Sequence, residues 1–126
     1  MTAKPAKPIF IYTTSGDWQA TAIEGRLFDT RGEYIGFMEG TSVYTRDGEW
    51  IGDLSKDGRI LRKRAAKQRP LHPNPPPKPS VRPANLPARA PLPPQNGDIT
   101  YDIVDVLEED PDIFKRVSDR RKDIGG

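Results

Sequence analysis

The residues of this chain with the most chemistry in them are six aromatics set in pairs: Tyr12 with Trp18, Phe28 with Tyr34, and Tyr44 with Trp50. The pairs recur every sixteen residues, each about a glycine, Gly16, Gly32 or Gly48. Indole and phenol rings stack on sugars, nucleobases and prolines, so such a strip is a candidate binding face. Packing is the competing reading, because a domain of about 55 residues has few other large groups from which to build a core. If the strip is exposed, Trp18 and Trp50 are the rings expected to protrude, and Tyr34 completes the candidate binding set. Catalysis needs groups within hydrogen-bond reach of one another, usually with a histidine, cysteine or buried carboxylate among them. The chain has no cysteine, and its single histidine, His72, sits in Arg69-Pro70-Leu71-His72-Pro73, where no core is expected to fix it. Ser15, Ser42 and Ser55 lack a candidate base in the repeat, and no glycine-rich phosphate loop precedes a helix. A carboxylate pair such as Glu39 with Asp53 is the one arrangement left open. The expectation is a protein that is not an enzyme, with no catalytic residues, no metal and no cofactor.

What must position the rings is a hairpin repeat. In each unit an apolar residue and an aromatic lead into a polar turn ending in glycine, and an acidic residue with a second aromatic follows. That pattern suits a type I turn closed by glycine in the left-handed region. Side chains alternate along a strand, so Phe28 is expected opposite Tyr34 on one face and Leu27 opposite Ile35 on the other, with Tyr12 across from Trp18 and Tyr44 across from Trp50. Glu24-Gly25, Glu39-Gly40 and Lys56-Asp57-Gly58 read as the opposite turns of a continuous meander. Seven strands follow, near 8–13, 17–23, 26–29, 33–38, 41–45, 49–54 and 59–63. An isolated hairpin is marginal in water, so the units must stack or close to bury an apolar face. The fold class is therefore all-β: an antiparallel meander of short hairpins closing or stacking into a flower- or barrel-like domain. One strand is left unpartnered. Either an edge stays open, or the β-favouring run Ile99–Val106 supplies an eighth strand, in cis or from another protomer.

The units Leu27-Phe28-Asp29-x-x-Gly32-Glu33-Tyr34-Ile35-Gly36 and Val43-Tyr44-x-x-x-Gly48-Glu49-Trp50-Ile51-Gly52 resemble those of the four-fold β-flower domains, small bacterial domains with hairpins set like petals about a pseudo-four-fold axis. The resemblance covers about residues 9 to 63, and it implies the petal arrangement and no established enzymatic activity. The first unit departs from the pattern, with Gln19-Ala20 in place of Ile-Gly, and the fourth is a half unit ending in Ile60-Leu61.

Composition divides the chain into a flexible N-terminus (1–8), the hairpin domain (9–63), a basic proline-rich linker (64–97) and an acidic C-terminal segment (98–126). Residues 1–58 hold six basic and nine acidic groups, 59–97 nine basic and none acidic, and 98–126 five basic and nine acidic. Eleven of the 14 prolines fall between Pro70 and Pro94. Such density prevents helix and sheet hydrogen bonding, so the linker is expected to be a disordered, stiff spacer. Lys67-x-x-Pro70-x-x-Pro73 and Pro73-x-x-Pro76-x-Lys78 fit the two orientations in which proline-rich peptides dock on aromatic grooves, although a plain linker is the main reading. Arg59, Arg62, Lys63, Arg64, Lys67 and Arg69 form a basic run that suits phosphates; binding of nucleic acid is the lesser reading and a solvated run the greater.

Asp110-Pro111-Asp112 is a helix start, and a helix near 111–123 would carry Ile113, Phe114, Val117 and Ile124 on roughly one face. A helix of about 13 residues is marginal alone, so that stripe should dock, on its own β domain or on a partner. The terminal Gly125-Gly126 reads as a flexible end more readily than as a ubiquitin-like conjugation tail. No run of about twenty apolar residues could span a bilayer and no signal-peptide core follows Met1, so a cytoplasmic protein without membrane contact is expected. The function these features suggest is a non-enzymatic interaction or scaffold protein. Its hairpin domain would be tethered to a docking segment centred on Ile113, Phe114 and Val117, with a protein partner or self-association. A module binding a small molecule, glycan or nucleic acid through the aromatic strip or the basic run is the alternative.

Overall fold

A computed structural model of the 126-residue chain describes residues 7–80, 83 and 86–115. Strands β1 (Ile9–Tyr12), β2 (Trp18–Ile23), β3 (Arg26–Asp29), β4 (Tyr34–Glu39), β5 (Ser42–Thr45), β6 (Trp50–Leu54), β7 (Ile60–Lys63) and β8 (Ile103–Asp105) follow one another in space as in sequence. They form one antiparallel meander that curls into a half-barrel. Gly16, Gly32 and Gly48 adopt φ of 91°, 87° and 91° and close equivalent turns, each N–H donating to the carbonyl three residues earlier. Four hairpins result, β1–β2, β3–β4, β5–β6 and β7–β8. The last has residues 64–102 as its connection, and its second strand is the eighth strand, supplied in cis: Leu61 pairs with Asp105 and Lys63 with Ile103.

The aromatic pairs lie in the expected register, Tyr12 on Trp18, Phe28 on Tyr34 and Tyr44 on Trp50. The neighbouring position does not. Leu27 pairs with Gly36 rather than with Ile35, and Val43 with Gly52, because each hairpin carries a bulge just beyond its aromatic pair. A bulge sets two residues against one and turns consecutive side chains to the same face. Gly36 and Gly52 thereby join Ile35 and Ile51 on the aliphatic side, and their missing side chains admit what packs there. A Cβ on Gly36 would stand 2.3 Å from the Tyr44 carbonyl oxygen and 3.2 Å from the Phe114 ring.

The aliphatic face is built from Ile11, Ala20, Ala22, Leu27, Val43, Ile51 and Ile60, all buried. The chain beyond β8 covers it: helix α1 (Val106–Glu109) contributes Val106 and Leu107, and a turn of 3-10 helix (Ile113–Lys115) contributes Phe114, with Ile113 packed beside it. Ile113 and Phe114 thus dock on the β domain of their own chain. The helix expected near 111–123 shows, among the described residues, only this turn; Val117 and Ile124 lie outside them.

A polar seam, buried at Arg59 and Asp105 and exposed at Thr14, Ser15 and Glu108, joins the first hairpin to the last. Asp105 caps α1 by accepting from the Glu108 N–H at 3.2 Å, and it also accepts from the Thr14 N–H at 2.7 Å and the Thr14 hydroxyl at 2.6 Å. Glu108 accepts from both the N–H and the hydroxyl of Ser15. Arg59, expected in a solvated basic run, is only 3% exposed; it grips Asp57 with two N–H groups at 2.6 and 3.1 Å and donates to Thr14 Oγ1 and to the Gly97 carbonyl. Among the described residues no helix is long and apolar enough to cross a membrane.

Candidate functional site

The aromatic rings occupy the face of the sheet opposite the aliphatic core. β-branched and aliphatic residues at alternate positions turn to the core, which leaves the rings in a row on the other side. Phe10 meets Trp18 edge-on with centroids 6.2 Å apart, Phe28 meets Tyr34 at 6.0 Å, and Phe37 stacks on Tyr44 at 5.0 Å. Phe28 and Tyr34 are buried, whereas Trp18, Tyr44 and Trp50 are half-buried. Each indole N–H is used locally, that of Trp18 by the Ala20 carbonyl at 2.9 Å and that of Trp50 by Asp53 at 3.4 Å. Burial pushes the Tyr12 and Tyr34 hydroxyls above the usual phenol range, the nearby Arg26 and Arg46 opposing it at Tyr34. The Tyr34 hydroxyl has no hydrogen-bond partner among the described residues.

What lies over this row is the chain's own proline-rich segment. The described residues of 64–97 contain no helix or strand, yet they contact the hairpins one after another. Arg69 places its guanidinium 3.6 Å above the centre of the Trp50 ring. His72 sits edge-on to Phe37 and Tyr44, at 5.2 and 5.3 Å, with Nε2 2.6 Å from Glu39 and its backbone N–H donating to the Gly48 carbonyl at 2.8 Å. This corrects the expectation that nothing would fix His72. Its partners are distant in sequence and reach it only when the segment folds back over the third hairpin. A Cβ at Gly48 would stand 3.1 Å from both His72 and Pro75, so the turn glycine leaves room for the strap as well as meeting a backbone demand.

The segment next flanks the second hairpin, where Lys78 and Pro79 line a cleft of about 220 Å³ with Phe28 and Tyr34. It then reaches the first, where the Tyr12 hydroxyl donates to the Pro91 carbonyl at 2.7 Å and Pro93 lies over Gly16. Asn96 and Gly97 tie it down, donating to the Thr14 carbonyl at 3.1 Å and to Asp57 at 3.3 Å. The strap thus crosses the third, second and first hairpins in turn and returns as β8 of the fourth.

The sequence-stated candidates accordingly divide between two faces. Trp18, Tyr34 and Trp50 share the aromatic face, while Ile113 and Phe114 belong to the core side and Val117 is outside the described residues. Of the basic run, Arg59 is used in the seam, and Arg64 pairs with Glu109 at 3.3 Å and covers Tyr101. Pattern reasoning missed Phe37, His72, Pro91 and Pro93 as parts of one surface; the proline docking motif about Pro70 and Pro73 was the available signal.

The fold and this face define a β-hairpin-repeat module that carries a proline-rich strap over a row of aromatic rings. No family model, curated protein or solved structure matches the chain.

Proposed function

We propose that the protein is a non-catalytic interaction module whose aromatic face receives extended, proline-rich polypeptide, and that in the free chain its own strap occupies that face. The observation that carries this reading is the strap itself. Prolines lack N–H groups, so proline-rich ligands are recognised mainly through ring contacts and through donors aimed at their carbonyls. The Tyr12 hydroxyl on the Pro91 carbonyl, and the rings of Phe37 and Tyr44 against the segment around Pro73, are contacts of that kind. The partner in this reading is another polypeptide or a second copy of the chain exchanging straps, in the cytoplasm. A four-fold β-flower relationship is part of the same proposal, supported by four successive hairpins whose last is assembled across the strap.

A labelled peptide of residues 67–79 titrated against the full chain tests the proposal. Self-occupancy lowers apparent affinity by the fraction of open molecules. A variant with Pro73, Pro75, Pro91 and Pro93 replaced by serine, its fold checked by near-ultraviolet circular dichroism, should bind the peptide about tenfold tighter than the parent. Tyr44→Ala in that background should abolish the gain. Equal affinity in parent and strap variant, or binding indifferent to Tyr44, would refute the reading.

A further inference from the structure

Residues 18, 34 and 50 occupy the same place in the first three hairpins, and each is an aromatic that carries one hydrogen-bond donor. In the first and third hairpins that donor is used by the residue three places on. The Trp18 indole N–H donates to Thr21 Oγ1 at 3.2 Å, as well as to the Ala20 carbonyl, and the Trp50 indole N–H donates to Asp53 at 3.4 Å. The equivalent position in the second hairpin is Phe37, which has no side-chain acceptor and instead stacks on Tyr44 and meets His72 edge-on. Of the three donors, the Tyr34 hydroxyl is thus the one with no hydrogen-bond partner among the described residues, and it belongs to a side chain only 6% exposed. In the first hairpin the strap itself serves a phenol, since the Tyr12 hydroxyl donates to the Pro91 carbonyl at 2.7 Å. Over Tyr34 the strap supplies Lys78, Pro79 and Ser80, which close the cleft of about 220 Å³ above Phe28, and none of the three accepts from the hydroxyl.

We infer that Tyr34 is the specificity-determining residue of the aromatic face: an incoming extended polypeptide places a backbone carbonyl on its hydroxyl, a bond that the chain's own strap does not make. The inference rests on the proposed reading of that face and names what distinguishes a partner from the strap. A buried donor without an acceptor carries a desolvation penalty, and a chain that supplies the acceptor removes it, so the difference favours the rival. The cleft is smaller than the roughly 300 to 1,000 Å³ of small-molecule sites, and Lys78, Pro79 and Ser80 of its wall belong to the strap. What reaches Tyr34 is therefore whatever replaces the strap, and not a ligand that fits beneath it. A carbonyl is the acceptor that such a chain carries at every residue, prolines included. In a polyproline II helix, with three residues per turn, one faces the same side at every third residue. The strap is held as a weaker occupant than the partner it excludes, and binding of that partner can relieve the self-occupancy.

The test uses the full chain with Pro73, Pro75, Pro91 and Pro93 replaced by serine, and two labelled probes, decaproline and the peptide of residues 67–79. Decaproline offers a carbonyl in every register, whereas the peptide carries the Lys78-Pro79 stretch that lies over Tyr34 in the structure. Tyr34→Phe keeps the ring that packs on Phe28 and should weaken decaproline about tenfold more than it weakens the 67–79 peptide, read by fluorescence anisotropy. In the parent chain Tyr34→Phe should leave the urea midpoint equal or higher, since it deletes an unpaired polar group and no bond. Independently of any change at position 34, the Tyr34 hydroxyl proton, followed by nuclear magnetic resonance, should exchange with solvent more slowly when decaproline is added. Equal weakening of the two peptides, a lowered midpoint in the parent, or hydroxyl exchange indifferent to decaproline would each overturn the inference. If Tyr44→Ala abolishes binding of both peptides while Tyr34→Phe alters neither, the reading of the face stands and the assignment of Tyr34 alone fails. If neither peptide binds, both fail together.

Discussion

Replacing Asp105 with alanine removes one carboxylate from three roles at once, and the structure sets the size of the effect. Asp105 is 4% exposed, whereas Thr14 and Glu108 are exposed, so the lost bonds count at their net value against water. Loss of the α1 cap costs about 1 kcal/mol. The Thr14 N–H and hydroxyl, at 2.7 and 2.6 Å, lose hydrogen bonds to a charged acceptor, each worth about 1.5 to 3 kcal/mol. The two are not additive, since the hydroxyl can turn elsewhere, and a total of about 3 to 5 kcal/mol is expected. Against a domain stability of about 5 to 15 kcal/mol that is a large share. At about 4 to 8 °C per kcal/mol for a domain of this size, melting followed by tryptophan fluorescence should fall by 12 °C or more. Thr14→Val provides the partner for a double-mutant cycle, and coupling of at least about 1 kcal/mol between positions 14 and 105 is expected. A loss below about 1 kcal/mol, or no coupling, would mean that β8 and α1 are not latched to the first hairpin and that the C-terminal segment is not part of the fold.

Gly36→Ala should be at least as damaging as a severe overpacking change, about 3 kcal/mol or more, because the added carbon meets a strand carbonyl at 2.3 Å and not a side chain that can swing aside; urea unfolding measures it, and a loss under about 1 kcal/mol would contradict the bulged register. Acid should loosen the seam over a defined window. Side-chain hydrogen bonding from Arg59 holds the Asp57 carboxyl down from 3.8 to about 2. A carboxyl lowered in the folded state stabilises fully above its unfolded value, so the contribution is present above about pH 4 and is lost as pH falls toward 2. Solvent screening of this partly exposed group limits it to roughly 1 to 2 kcal/mol. Urea midpoints taken from pH 5 down to 2 should show a steeper fall for the parent than for Asp57→Asn, and parallel curves would dispose of the pairing.

The hairpins were legible because their cause is local. Alternating side chains, a glycine of positive φ closing each repeat turn, and aromatics on either side are enough to fix Tyr12 against Trp18 and Phe28 against Tyr34. The β-favouring run at 99–106 offered an eighth strand as one alternative to an open edge, and Ile103–Asp105 is its paired part. The bulges escaped because Ile35-Gly36 and Ile51-Gly52 fit plain alternation equally well, with the isoleucines on the core side either way; what the bulge adds is a glycine on that side, where at Gly36 the Tyr44 carbonyl and Phe114 leave no room for a side chain. Arg59 looked like the head of a basic run, although Asp57 two residues before it was the pairing signal. The strap was the least legible part. Proline density argues correctly against ladder hydrogen bonds, but contact with rings and donation to proline carbonyls need no ladder, and the partners of His72 and Pro91 lie 33 and 79 residues away.

The central claim is that the proline-rich segment lies on the aromatic face of its own chain. Its most direct test is a nuclear Overhauser experiment on the full chain, seeking cross-peaks from the His72 ring to the Phe37 and Tyr44 rings and from Pro91 to Tyr12, repeated on dilution. The account predicts those cross-peaks, ring-current-shifted His72 protons, and intensities per molecule that do not change with concentration. Random-coil shifts through residues 70–96 with no cross-peaks to the rings would contradict it.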